Sequence, residues 1–540
     1  MKQSISCRIS SVVVMITMAM VSSAQAQEPT VVLSIRGLDA VLDDADFVGE
    51  ELGVPGGKTQ IENLVNGATG GDGLVGIDRK KPLGVYWTAS SGETQEMPVA
   101  FIPVSDAEAL KRLIEELTED FKDEKGLWTA SAGGNKLQGK LSGGYLFISP
   151  KLPTKLADPA KIATQKYDVS LDVSLASVPA PFKQLFLDQV DEKGRQSQEN
   201  SPDPANDAER IGREWGYNGT LAILKSIVND GDKLTLGVEV DRKGRSAAID
   251  LSLTGKSKTP LANVLNAYGK IQPVFGALGS ESSPFRMVFS LPTIATPEQV
   301  NEFIKTATTT INASIDQDKS LKSDEDRERV KELMGRVLTI TQATLNTGSV
   351  HAGAVLEQGS KDTARFIGGA KVTNGDEVAK LLDDVIEWSK DEVDAPKVRL
   401  DVAKHAGARI HAVTVDENEA QKLFGDDPGH LAFRNDSFWL ALGGDNLQTL
   451  KKSLDAKPLT RTTVAPISMK VKLAALLLLM KDQDPDEIEP LKKIAGTPGD
   501  KLNLEIVPVP SGAKLRIEFG IDLLKVAAEL GDKDKEKESK

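Results

Sequence analysis

The chain is poor in reactive side chains. Its one cysteine is Cys7, close to the N-terminus, and it has only four histidines, all beyond residue 350. Once the N-terminal segment is removed no thiol remains, which excludes disulfides, thiolate metal sites and cysteine nucleophiles. A chain of 540 residues buries enough surface to fold without such staples. Gly-x-Ser-x-Gly and His-Glu-x-x-His are both absent, so the common serine-hydrolase elbow and the zinc-peptidase helix have no representative. Basic residues are outnumbered, 66 against 79 acidic, for a net charge of −13. That balance repels phosphate backbones and argues against nucleic acid and against an electrostatic hold on an anionic membrane. Long apolar runs are missing too. The best internal one, Leu473 to Met480, is far short of the ~20 residues a spanning helix needs.

What is present begins with an export signal. Lys2 and Arg8 are followed by the uncharged apolar run Ser11 to Val21 and by Ala24-Gln25-Ala26, a small-x-small cleavage site. This order predicts a cleaved signal peptide over residues 1–26 and a mature protein in the periplasm or outside the cell. At ~100–200 residues per domain the remainder predicts two to four domains. The polar end, Gly531 to Lys540, has nothing to bury and is expected to be a disordered tail over 531–540.

An internal duplication organises the rest. Gly231-Asp232-Lys233-Leu234-Thr235-Leu236 matches Gly499-Asp500-Lys501-Leu502-Asn503-Leu504 and continues without a gap through Gly244/Gly512 and Ile249/Ile517. Each copy alternates about a central glycine, the pattern of a hairpin whose turn would draw positive φ from that glycine. Three more pairs keep the same order: Val31–Ile35 with Met287–Leu291, the helix-like Leu152–Leu156 with Leu450–Leu454, and Val169–Ala176 with Ile467–Ala474. The expected halves run over 28–280 and 284–530. Asp191 to Asp207, polar and turn-rich, reads as a loop inserted in the first half. Leu83–Thr88 and Val99–Val104 form a hairpin around Ser90-Ser91-Gly92, and Ser105-Asp106-Ala107-Glu108 caps a helix with Leu110, Leu113, Ile114 and Leu117 along one stripe. The matching helix starts near Asn374. Hairpins followed by helices predict an α+β class, antiparallel sheets with helices packed on one face.

Chemistry-bearing patterns are weak. Gly56-Gly57-Lys58-Thr59 looks like a phosphate loop, but Leu52 stands where the first glycine belongs. His405 and His411 would share one strand face if the stretch were continuous; the plainer reading is scattered surface histidines in a hairpin, with Asp416, Asp426, Asp427 and His430 nearby only in sequence. Glu115-Glu116 and Asp383-Asp384 sit on solvated helix faces, and Asp482-Gln483-Asp484-Pro485-Asp486 puts proline where a calcium loop must turn. Core packing accounts for Trp87, Trp128, Trp215, Trp388 and Trp439. No residue is nominated as catalytic, cofactor-binding or metal-ligating, and no cofactor is expected.

The signal peptide, the strand Val31–Ile35 with Gly37-Leu38, the run Lys81 to Val85 and the strand–helix stretch Phe438 to Leu454 resemble a loose class of exported bacterial proteins built from duplicated strand–helix–hairpin units, a class with no characterised activity. The resemblance implies no site residues. The function expected from these features is a non-enzymatic interaction, scaffold or binding module. Two alternatives stand beside it: a carrier of an apolar small ligand, and a hydrolase with a dispersed carboxylate or histidine site.

Overall fold

A computed structural model describes residues 28–68, 73–89, 97–201, 207–321, 323–360, 363–389, 397–414, 418–459, 464–479 and 485–527. The expected signal peptide 1–26 and the expected tail 531–540, the turn Ser90-Ser91-Gly92, Asp416 and most of the calcium-like run lie outside these residues, as does the side chain of Trp215. The chain is α+β, and its strand pairings are antiparallel. It divides into two compact units. One comprises Met1–Gln198, Ile223–Val240 and Ile249–Lys256; the other comprises Glu199–Ala222, Asp241–Ala248 and Ser257–Lys540.

The first unit is built on β1 (Val31–Ile35), β2 (Leu83–Trp87), β3 (Val99–Pro103), β4 (Glu119–Glu124), β5 (Leu127–Ala132), β6 (Asn135–Ser142), β7 (Tyr145–Ser149), β8 (Val169–Ser174), β9 (Gly231–Asp241) and the Ile249–Gly255 part of β10 (Ser246–Gly255). Pairing runs β4-β5-β6-β7-β3-β2-β1-β8-β9-β10. The second unit has β11 (Phe285–Pro292), β12 (Ser349–Gln358), β13 (Ala364–Lys371), β14 (Lys397–His405), β15 (Ala408–Thr414), β16 (Gly429–Arg434), β17 (Ser437–Leu442), β18 (Ile467–Val471), β19 (Leu502–Val509) and β20 (Gly512–Gly520). Its pairing runs β14-β15-β16-β17-β13-β12-β11-β18-β19-β20. Each strand of the second unit therefore takes the place of the strand ten numbers before it. Helices fall in matching gaps, with two after the first strand (Leu38–Glu51 and Gly57–Ala68; Pro297–Gln317 and Asp324–Leu345) and one after the third (Ala107–Leu117; Gly375–Ser389).

Even the irregularities recur. The outermost strands β4 and β14 each slip register, between Glu119 and Lys122 and between Arg399 and Ala403. In both an aspartate takes the left-handed conformation, Asp120 at φ 55° and Asp401 at φ 54°. Aspartate tolerates that region better than most side chains, and the extra residues, one in β4 and two in β14, twist the strands.

Helix Ala107–Leu117 forms where its sequence signals place it. Asp106 accepts from the Glu108 and Ala109 N–H groups, and Leu110 and Leu113 are buried against Trp128 and Leu146. Leu117, expected on the same stripe, is exposed. In the second unit Phe275, Val355, Ile367, Ile410, Trp439 and Leu450 form the largest core cluster.

Several local expectations are corrected. Leu152–Leu156 is not helical. Pro153 cannot donate, and the turn of helix comes later, at Pro159–Ile162, capped by Asp158. The expected loop from Asp191 is helix as far as Glu199, held by Arg195–Glu192 at 2.6 Å and Gln196–Glu192 at 2.9 Å. The hairpin turns take positive φ at Arg245 (49°) and Ser511 (56°), not at Gly244 or Gly512. The Asp241 carboxylate accepts the Gly244 N–H at 2.9 Å, and a Cβ at Gly244 would lie 2.3 Å from that carboxylate and displace it.

Candidate binding face

Alternation along β1, β2, β8 and β9 sorts side chains onto two faces, and the register lines them into rows. On one face Val85, Leu33, Leu171 and Leu236 form a row across the four strands. Trp87, Val31, Val173 and Leu234 form a second, and Leu83, Ile35, Val169 and Val238 a third. None of the twelve is polar. On β10, Asp250 bonds Tyr167, whose ring also abuts Gly237 on the reverse face, so Ile249 and Leu251 continue the apolar face.

This face is open. Leu33, Val85, Leu236, Val238, Ile249 and Leu251 are each between 38 and 45 % exposed. The reverse face is buried, and it is the polar one. Ser34 and Ser170 are hydroxyl to hydroxyl at 2.9 Å, Thr235 donates to Asp172 at 2.6 Å, and Tyr167 donates to Asp250 at 2.9 Å. Lys233 reaches Asp172 at 2.8 Å, and Arg36 holds Asp168 at 2.6 Å. Antiparallel sheets that face water on one side normally turn the polar residues outward. Here the arrangement is inverted, and these polar groups are held in pairs except at Asp172 Oδ2, which has no hydrogen-bond partner.

The second unit carries the same rows: Ala354, Met287, Met469, Leu504 and Ile517 in one, Ala352, Phe289, Ile467, Ile506 and Leu515 in another. These side chains are half-buried or buried, and none is exposed. Behind them stand charged pairs, Lys470–Glu505 at 3.6 Å and Lys501–Glu518 at 2.7 Å. Burial alone would raise the Glu518 carboxyl, but bonds from Lys501, Asn503 and Ser246 bring it below its usual value.

His351, His411 and His430 are buried, so the expectation of surface histidines fails for His411 and His430. His405 ends β14 and His411 lies in β15, across the turn Ala406-Gly407, so they share no continuous strand. His411 is fully buried; its Nδ1 accepts the Asp401 N–H at 2.9 Å. His430 is buried beside Asn446, and His351 lies between Ser290 at 3.0 Å and Ser349 at 2.9 Å. Burial lowers all three, His351 to about 4. Only His405 is near the surface, paired with Asp455 at 2.8 Å.

Other candidates resolve into packing. Lys58 is tied to Asp43 at 2.7 Å at the start of a helix, leaving the glycine-lysine run no phosphate-loop geometry. Glu115 and Glu116 are exposed. Asp383 and Asp384 are half-buried instead, and Asp384 bonds Arg336. Trp87 lies on the open face and Trp388 is 42 % exposed, so among the described tryptophan side chains core packing accounts for Trp128 and Trp439. Among the described residues no group of three or more His, Cys, Asp or Glu could hold a metal ion, and no helix is long and apolar enough to cross a membrane. The alternation that builds the apolar rows was visible in the sequence; which face stays open was not. No family model matches the chain, and no curated protein or solved structure matches it.

Proposed function

We propose that this protein is an exported, internally duplicated binding protein that holds an apolar ligand of lipid-tail character on the open sheet face of its first unit. The observation that carries this reading is the set of three unbroken apolar rows across β2, β1, β8 and β9, with Leu33, Val85, Leu236 and Val238 exposed and the other eight half-buried, while the polar face behind them is buried. Contiguous exposed apolar surface on this scale marks a binding site. With strands ~4.8 Å apart and alternate residues ~7 Å apart, the face including β10 covers roughly 400 Å². A stable protein partner needs about 800 Å² on each side, so the face suits a smaller guest. Burying roughly 200 Å² of acyl chain would contribute about 5 kcal/mol before the losses of association.

The N-terminal pattern of Lys2, Arg8, an apolar run and Ala24-Gln25-Ala26 supports placing this activity outside the cytoplasm. The identical strand orders of the two units support the duplication. Native mass spectrometry of the protein purified from its exported compartment should find a retained lipid or fatty acid. A Leu33→Lys/Leu236→Lys variant, unchanged in circular dichroism, should bind a fluorescent fatty acid at least tenfold more weakly. A bare mass together with unchanged probe binding would sink the proposal.

A further inference from the structure

We propose that the second unit holds a separate pocket for a small, single-ring aromatic carboxylate. A cavity of about 240 Å³ opens on the face of the sheet opposite its apolar rows, between the strand ends Lys371 and Arg434, the segment around Phe275 and the end of helix Asn446–Asp455. The floor is the Trp439 indole, with the Phe275 ring edge-on to it at 5.1 Å between centroids. Two glycines make room for these rings. Gly353 and Gly369 are cross-strand partners, and Gly369 in turn faces Trp439. A Cβ on Gly353 would sit 2.4 Å from Phe275, and one on Gly369 would sit 2.7 Å from Phe275 and 2.8 Å from the indole. The rings thus lie directly on the sheet backbone and present an apolar slot.

The rim is polar and its charges do not balance. The Trp439 N–H donates to the Ser437 hydroxyl at 3.2 Å, and that hydroxyl donates to Asp436 at 3.2 Å. Arg434 pairs with Asp436 at 3.3 Å, so these two charges offset each other. Lys371 stands directly across the strand pair from Ser437, exposed, with no carboxylate partner among the described residues. One ammonium is left at the mouth of an aromatic slot. The slot is smaller than the ~300–1,000 Å³ of pockets for drug-sized ligands, which limits the guest to about one ring. A carboxylate on that ring would reach Lys371 through a charge-assisted hydrogen bond while the ring lies against the indole.

Titration of the full-length mature protein with benzoate, followed by calorimetry and by saturation-transfer NMR of the ligand ring, tests this directly. Benzoate should bind at one site, benzyl alcohol at least tenfold more weakly, and Lys371→Gln should weaken benzoate about tenfold. Lys371 is exposed, so this variant keeps the fold; Trp439→Phe with intact circular dichroism should weaken both ligands. Leu236→Lys, on the apolar face of the other unit, should leave benzoate unaffected, which separates this pocket from the lipid reading. No benzoate binding, equal binding of benzyl alcohol, or indifference to Lys371→Gln would each overturn the proposal.

Discussion

The two units share a strand order and differ in what they leave uncovered. In the first, the apolar rows through Leu33, Leu171 and Leu236 reach solvent, and the buried face is held by serine, aspartate and tyrosine pairs. In the second, the equivalent row through Phe289, Ile467 and Ile506 is covered to a greater extent, and three histidines are buried elsewhere in the unit. One topology thus carries an exposed apolar surface in one unit and a better-covered sheet with ionisable groups inside it in the other. Pairing order follows from backbone hydrogen bonds and alternation, whereas exposure depends on what the loops and helices cover. The first can persist through a duplication while the second diverges.

Acid should split the units most strongly. His351 sits at about 4 in the folded protein, against ~6.5 in an unfolded chain. Between those values the unfolded chain binds the proton and the folded one does not, so stability is full above ~6.5 and falls as the pH drops toward 4. The loss from His351 alone is about 3 kcal/mol, and His411 and His430 act in the same direction. The described part of the first unit holds no histidine. Hydrogen exchange read peptide by peptide from pH 7 to pH 4 should show the second unit losing protection first; simultaneous loss in both would contradict the assignment.

Packing should separate them next. Gly369→Val forces the Phe275 and Trp439 rings off the sheet and should destabilise the second unit by about 2–3 kcal/mol in a denaturant melt. A melt unchanged by this variant would mean that the rings are free to move aside. Helix caps give a smaller effect. Asp106→Ala removes the acceptor for two N–H groups and should cost about 1 kcal/mol, confined to the first unit.

The smallest effect sharpens the comparison furthest. Leu236→Ser, on the open face, should change stability by less than about 0.5 kcal/mol, while Leu504→Ser on the covered rows should cost about 1–2 kcal/mol. Equal costs would show that the two faces are equally covered and would remove the ground for assigning ligand binding to the first.

Much of the architecture was legible because period-two alternation and capping are local. The matched segments Val31–Ile35, Val169–Ala176 and Gly231–Leu236 lie on β1, β8 and β9, which carry the apolar rows. Register was less legible. Aligning Val32 with Val288 puts Asp172 and Ser468 in equivalent places, since those are their cross-strand partners, yet the sequence match had aligned Ser170 with Ser468. Alternating strands match at any even offset, so sequence alone cannot tell one from another. Exposure was the least legible, because an alternating strand looks the same whichever face is wet. The pocket residues Phe275, Lys371 and Arg434 escaped notice because they lie on separate segments that only folding brings together. Trp439 was noticed, but only as core. The pair of glycines facing it was the available signal.

The bulged outer strands bear on how such a protein stays dispersed. A straight free edge would offer neighbouring molecules a backbone ladder to extend, and in the first unit the open apolar face would add a greasy surface to stack upon. β4 reads Glu-Asp-Phe-Lys-Asp-Glu, and β14 carries Lys397, Arg399, Asp401 and Lys404. Each is bent at an aspartate that leaves the ladder out of step. Charge and broken register together block strand addition at the rims. Straightening β4 by deleting Asp120 would be expected to promote fibre formation at high concentration.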